Sequence, residues 1–250
     1  MPPSNLPPRE VPPRKTARER VRAEITREIT DVARAQLAAE GAAALSLRAV
    51  ARDLGMVSSA IYRYFASRDE LLTALIIDGY NALGSAVEQA DRACARDDLP
   101  GRWRAAARAA RDWALAHPHE YALLYGSPVP GYQAPADTIV PAARSAAVFG
   151  RLISDAQAAG ALTPQPAPAP LPPALTADLD QLRAAIMPAV PDEVVAAALT
   201  AWAGVFGVIS FELFGQFNNV ITDRAAYFDR ALADLARLFG LAAGRAEPPA

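Results

Sequence analysis

A single cysteine, Cys94, stands in 250 residues. It excludes an intramolecular disulfide and any cysteine-based zinc knuckle, and a reducing cytoplasm is the natural setting. There are two histidines, His117 and His119. They flank Pro118 at an expected helix junction and have no further histidine to join, so neither a metal nor another cofactor is expected. Lysine is almost missing: Lys15 stands against 24 arginines. Proline is absent between residues 14 and 99. The opening MPPSNLPPREVPP has no apolar core, so no secretory signal is expected there. No internal repeat occurs. Charge of one sign is lacking too, with 25 basic against 27 acidic residues and a pI near 5.8. Taken as a total, that balance argues against a nucleic-acid partner, but a total averages over local imbalance.

Apolar residues make up 52% of the chain and charged ones 21%, which excludes disorder throughout. The 58 alanines are the best helix formers available, and long Ala/Leu/Arg/Glu stretches predict an all-α protein. Periodicity and punctuation place helices near 17–40, 47–54, 58–65, 68–95, 101–117, 118–125, 137–160, 176–187, 191–217 and 223–240. Gly41 and Gly55 fit helix C-termini, Ser46 fits an N-cap, and Ser67-Arg68-Asp69-Glu70 matches a capping box. Pro100, Pro118 and Pro191 fit helix starts. Six prolines in 1–13 and six in 164–173 mark a tail and an extended loop.

The stretch 46–71, SLRAVARDLGMVSSAIYRYFASRDEL, carries the chemistry. Two short helices that cross tightly around a sharp turn form a helix-turn-helix. The contact needs a small residue, here Ala51, and four positions later a residue tolerant of positive φ, here Gly55. Val50, Leu54, Met56 and Ile61 are spaced to knit the helices together. Ser58 and Ser59 open the second helix with small polar groups, and Tyr62, Arg63 and Tyr64 follow. Tyrosine and arginine bond phosphates, and arginine also reads guanine in the major groove. Ser46 with Arg48, and Ser67 with Arg68, sit at helix starts, where anions are favoured. They are expected to act as two phosphate clamps flanking a recognition helix.

Residues 17–72 resemble the N-terminal domain of the TetR family of bacterial transcription regulators. The resemblance rests on Gly55, then Tyr62-Arg63-Tyr64-Phe65, then Ser67-Arg68-Asp69-Glu70-Leu71. It implies that Tyr62, Tyr64 and Arg68 contact phosphates, that Arg48 supports them, and that Ser58, Ser59 and Arg63 lie nearest the bases. Val57 departs from the family's usual capping serine. Valine cannot cap, so Ser58 is expected to move into that role. The basic stretch 14–22, RKTARERVR, is either a solvated helix start or an arm for the minor groove, with Arg14 and Lys15 best placed.

In 101–126, Trp113, His117, Tyr121, Leu124 and Gly126 resemble a TetR C-terminal domain named for a recurring Trp, His and Gly. His117 is expected to cap the carbonyls of the preceding helix. Residues 194–211 are uncharged over 18 positions, the lower limit for a membrane span. No basic cluster flanks them, so a buried or interface helix is expected and no membrane partner. Ala203, Gly204 and Gly207 permit close helix contact, with the partner face on Ala226, Tyr227, Ala231, Leu235 and Leu238. Glu212, if buried, needs a cation such as Arg224, Arg230 or another. Candidate ligand-lining residues are Trp113, Tyr121, Phe149, Trp202, Phe206 and Phe211.

These readings converge on a cytoplasmic, homodimeric repressor that binds a palindromic double-stranded DNA operator and is released by a small apolar or amphipathic effector. The alternatives are a ligand-independent DNA-binding protein and, from another class, a helical enzyme using His117 or His119. The expected organisation is a tail at 1–16, a helix-turn-helix domain at 17–67, a regulatory and dimerisation domain at 68–243 with a proline-rich loop at 161–175, and a tail at 244–250. Divided this way, the charge separates. Residues 1–68 carry a net +5 and residues 69–250 a net −7. A basic head on an acidic body suits DNA, since the body's field keeps it off the duplex.

Overall fold

Side-chain caps set where several of the helices begin. The computed structural model describes residues 16–163 and 170–242, and these form ten α-helices with no strand among them. They are α1 (Ala17–Glu40), α2 (Leu47–Asp53), α3 (Ser58–Ile61), α4 (Arg68–Ala93), α5 (Leu99–Ala116), α6 (Pro118–Tyr125), α7 (Ile139–Ala158), α8 (Pro173–Ile186), α9 (Asp192–Leu213) and α10 (Arg224–Leu238). Thr16 opens α1 with a complete capping box: its hydroxyl accepts from Glu19 N, and Glu19 accepts from Thr16 N. Asp98 accepts from Gly101 N at 2.9 Å and so starts α5 at Leu99, two residues before the sequence-based expectation. Asp223 does the same for α10.

Three boundaries differ for local reasons. α3 ends at Ile61, not 65, because the chain tightens: Arg63 N donates to Ala60 O and Tyr64 N to Ile61 O, both three residues back. α9 ends at Leu213, not 217, where Gly215 turns to φ 84°. α8 begins at Pro173 rather than 176, with proline in its first turn. Arg14 and Lys15, the C-terminal tail and the middle of the proline-rich loop lie outside the described residues.

Two apolar clusters organise the chain. The first joins α1, α2, α3 and the start of α4 through residues such as Ile29, Leu37, Val50, Ala51, Ile61 and Leu72. The second gathers α5, α7, α9, α10 and the rest of α4 around Trp103. α4 belongs to both, with Leu71–Ile76 in the first and Leu83 and Val87 in the second. One continuous helix therefore runs from head to body.

Several large polar groups inside the body are matched. Trp103 donates its indole N–H to Leu232 O at 3.0 Å. Arg102 is 1% exposed and bonds Asp91 at 2.7 Å and Asp155 at 2.8 Å. Glu212 is buried, and its partner is Arg111 on α5, which grips both carboxylate oxygens at 2.6 and 2.7 Å. Neither Arg224 nor Arg230 reaches it: Arg224 bonds Asn218, and Arg230 pairs with Asp234.

α9 is long and apolar enough to cross a membrane, with mean hydropathy 2.0, yet it packs on α5, α8 and α10. Its small residues serve two faces. A Cβ on Gly204 would lie 2.5 Å from Leu235, so Gly204 lets α10 approach within the chain. Ala203 and Gly207 are exposed, and with Leu199 and Phe211 they form an outward stripe at four-residue spacing.

Candidate nucleic-acid interface

The helix-turn-helix is built on backbone geometry. After α2 the chain reverses at Gly55, whose φ of 65° suits glycine, and Met56 N closes the turn on Ala51 O at 2.8 Å. Ala51 has no exposed surface, so a larger side chain there would push α2 from α3. Ile61 and Phe65 anchor the second helix inward. That leaves Ser58, Ser59, Tyr62 and Arg63 on one exposed surface, with Arg48 exposed on α2. Arg48 and the Arg63 guanidinium have no ion pair among the described residues.

Several expected roles change. Val57, not Ser58, occupies the N-cap of α3, and no side chain caps that helix. Ser58 is helical, and its hydroxyl makes no hydrogen bond among the described residues, so both serines stay available. Ser46 occupies the N-cap of α2 without the expected side-chain bond. The Ser67 capping box is offset: Ser67 Oγ accepts from Glu70 N at 3.1 Å, but Glu70 accepts from Ala66 N instead of Ser67 N.

Arg68, expected as a phosphate clamp, has partners within the chain. It is half-buried, and its guanidinium donates to the carbonyls of Ala42, Ala43 and Leu45. These carbonyls lie along the loop between α1 and α2, so Arg68 staples that loop to the start of α4. Arg68→Ala is expected to lower the melting temperature by about 4–8 °C, since two to three charge-assisted bonds at about 1 kcal/mol net each disappear. A thermal melt checks this. An unchanged melt with weakened DNA binding would return Arg68 to the phosphate role.

Sequence reasoning missed Arg22 and Arg34. Arg22 on α1 donates to Arg63 O at 2.9 Å, and its guanidinium lies 5.2 Å over the Tyr64 ring. It fixes the turn that carries Tyr62 and Arg63. Arg34 on α1 reaches Glu120 on α6 at 3.3 Å and Asp78 on α4 at 3.8 Å, joining head to body. Burial raises the Asp78 pKa, Arg34 opposes that shift, and Asp31 adds to it. Arg22 ends the basic stretch 14–22 and Arg34 stands in no motif, and spacing alone could not give the partners of either.

The candidate effector residues separate. Phe149 and Trp202 stand in cavity walls. Trp113 is buried and stacks on His117 at 5.1 Å. Tyr121 is fully buried, with its hydroxyl on Phe206 O and Ser210 Oγ, and burial pushes its pKa up to about 12. Phe206 is buried between the Tyr125 and Trp202 rings. Phe211 is 53% exposed on the outer stripe of α9. These four line neither of the cavities that Trp202 adjoins, because three are closed into the core and one faces out. His117 donates Nδ1–H to Trp113 O at 3.0 Å and caps α5. His119 is exposed, and no metal-binding cluster occurs among the described residues.

Two family models match parts of the chain. Residues 29–75 match the bacterial regulatory proteins of the tetR family, and residues 103–235 match a tetracyclin repressor-like C-terminal domain. The HTH-type transcriptional regulators Rv1816 of Mycobacterium tuberculosis and Mb1846 of Mycobacterium bovis are each 44% identical over 222 residues, 85% of this chain and 91% of theirs. The crystal structure of a regulatory protein, SCO4313, is 40% identical and superposes with a TM-score of 0.70, covering 88% of this chain and 98% of that one. A Rhodococcus sp. RHA1 protein of unknown function is 26% identical, with a TM-score of 0.63, over 85% of this chain and 96% of its own.

Proposed function

This chain belongs to the TetR family and is a DNA-binding transcriptional regulator, and from that premise we propose that it is a homodimeric repressor of the cytoplasm, held on a palindromic operator until a small apolar or amphipathic effector releases it. Within the family, Trp113, His117 and Gly126 favour the Trp-His-Gly subgroup. Residues 17–67 form the reading head and 68–243 the regulatory body. Arg48, Ser58, Ser59, Tyr62 and Arg63 meet the DNA, with Tyr64 and Ser46 beside the phosphates and Arg14 and Lys15 preceding α1 as a basic arm.

One observation carries the switch. Ile76 on α4 belongs to the core of the head and also lines a cavity of about 670 Å³ in the body. Leu123, Leu124, Val129 and Tyr132 share that double position. An effector that fills the cavity therefore presses on side chains that pack the head, and α4 transmits the shift. Release requires that the effector bind the two arrangements with different affinity. The exposed stripe Leu199, Ala203, Gly207 and Phe211 supports the dimer, because small residues at its centre admit a second helix closely. A dimer places two reading heads about 34–36 Å apart, one turn of DNA, or somewhat more.

Selection of bound DNA from a random pool, with light scattering of the free protein, tests the reading. A palindromic consensus and a dimer mass are expected. A monomer that selects a single asymmetric site would overturn it.

A further inference from the structure

The chemistry of the effector is written in two adjoining cavities. The larger, about 670 Å³, lies between α4, α6, the loop after α6, α7 and α9. The smaller, about 150 Å³, lies between α7, α8 and α9. Ala146 and Trp202 stand in the walls of both. Resting on the effector-release reading above, we propose that the effector is an uncharged amphipathic molecule bearing a carbonyl-type hydrogen-bond acceptor, which meets the Trp202 indole while its hydrocarbon part enters the smaller cavity.

Two observations carry this. The first is the complete lack of charge. No Asp, Glu, Lys, Arg or His lines either cavity, in a chain otherwise rich in arginine ion pairs. A buried charge without a counterion carries a heavy desolvation cost, so an acid or an amine is disfavoured. The second is an orphan donor. Trp202 Nε1 is buried and has no hydrogen-bond partner among the described residues. An indole N–H can only donate, so the missing partner must be an acceptor. The chain's other two tryptophans are settled elsewhere: Trp103 donates to Leu232 O, and Trp113 stacks on His117.

The two chambers divide the work. The smaller is walled by Phe149, Ile153, Leu182, Ile186 and Met187, which suits an alkyl chain. The larger holds the phenols of Tyr80 and Tyr132. Thr73 shares a 2.9 Å hydrogen bond with Tyr132, whereas no hydrogen bond holds Tyr80 among the described residues. Burial and the neighbouring Tyr132 raise the Tyr80 pKa, so its phenol stays neutral at pH 7 and can bond a second polar group. Together the volumes fall in the range of pockets for small molecules, roughly 300–1,000 Å³.

Calorimetry on the full chain with three ten-carbon probes tests the proposal: decan-2-one, decanoate and decylammonium at one pH and salt. The ketone is expected to bind at least about tenfold tighter than either ion. Trp202→Phe keeps an aromatic ring in the wall and is expected to weaken the ketone about fivefold, the worth of one neutral hydrogen bond. Ala146→Leu narrows the junction and is expected to abolish binding, and it serves as the second variant should the first not fold. Equal or tighter binding of an ion, no binding of the ketone, or indifference to both substitutions would overturn the proposal. The same titrations on the complex with selected DNA separate the two readings. Selective ketone binding without DNA release overturns release and leaves the effector chemistry standing. Operator binding with no selectivity among probes overturns the chemistry alone.

Discussion

Arg48→Ala with Arg63→Ala is expected to weaken operator binding by roughly a thousandfold at 0.1 M salt. Two arginines in each protomer make four in a dimer, and at about 1 kcal/mol each the sum is about 4 kcal/mol. The log–log salt slope should shrink by roughly one for each phosphate that the protein no longer neutralises. Both side chains are exposed and have no ion pair among the described residues, so the melting temperature should not move. That separates them from Arg68, whose guanidinium is spent on three backbone carbonyls. Fluorescence anisotropy on the selected DNA at several salt concentrations makes the measurement. Unchanged affinity and slope would remove both residues from the interface.

Arg102→Ala is expected to cost about 3–5 kcal/mol of stability, or about 10 °C in melting temperature. Arg102 lies at the centre of the body's one fully buried cation cluster among the described residues, between Asp91 and Asp155. Asp155 is half-exposed and can turn to water, but Asp91 is 5% exposed and cannot. Removing the arginine leaves a buried carboxylate with Arg96 as its remaining cation. The dependence on pH gives the signature. Burial alone would raise the Asp91 pKa, but hydrogen bonds from Arg102 and Arg96 outweigh it and hold the net value below the usual 3.8. A carboxylate with a depressed folded pKa stabilises above its unfolded pKa, and that contribution is lost as pH falls through the folded value. In the variant, desolvation prevails, and Asp91 takes up a proton more readily. The gap between the two proteins should therefore be full at pH 7 and narrow as pH falls toward about 4. Urea denaturation at both pH values checks it, and a gap independent of pH would show that lost packing, not charge, is responsible. A double change, Arg102→Met with Asp91→Leu, should recover most of the loss, since apolar replacement of a buried pair is often close to neutral.

Much of this could be read before any coordinates. The Ser67 cap, Gly55 and the pattern Tyr62 to Leu71 act on backbone within about four positions, so they are legible one window at a time. His117 as a cap on α5 is of this kind. The same local reading did not show what Arg68 holds within the chain, because its acceptors are carbonyls 23 to 26 residues away, and every residue has one. The partner of Glu212 lies 101 residues away on α5, and with 24 arginines to choose from, no pattern points to Arg111.

Aromatic residues show the same divide. Six were reasonable walls for a ligand, because size and apolarity are visible in the sequence. Which of them border space depends on how four helices leave a gap. Tyr121 and Phe206 are equally aromatic, yet α6 and α9 close over them, while Trp202 faces a gap that α7 does not fill.

Composition and short-range spacing were thus enough to settle the helical class, the reading head and its separation of charge from the acidic body. Each depends on side-chain identity and on neighbours a turn away. The tertiary arrangement alone decided that Arg68 holds a loop, that Arg111 and Arg102 neutralise buried carboxylates, and that the cavity at Trp202 carries no charge and touches the core of the head through Ile76. Those outcomes depend on which of many equivalent groups distant segments bring within about 3 Å, a distance at which a hydrogen bond either forms or does not.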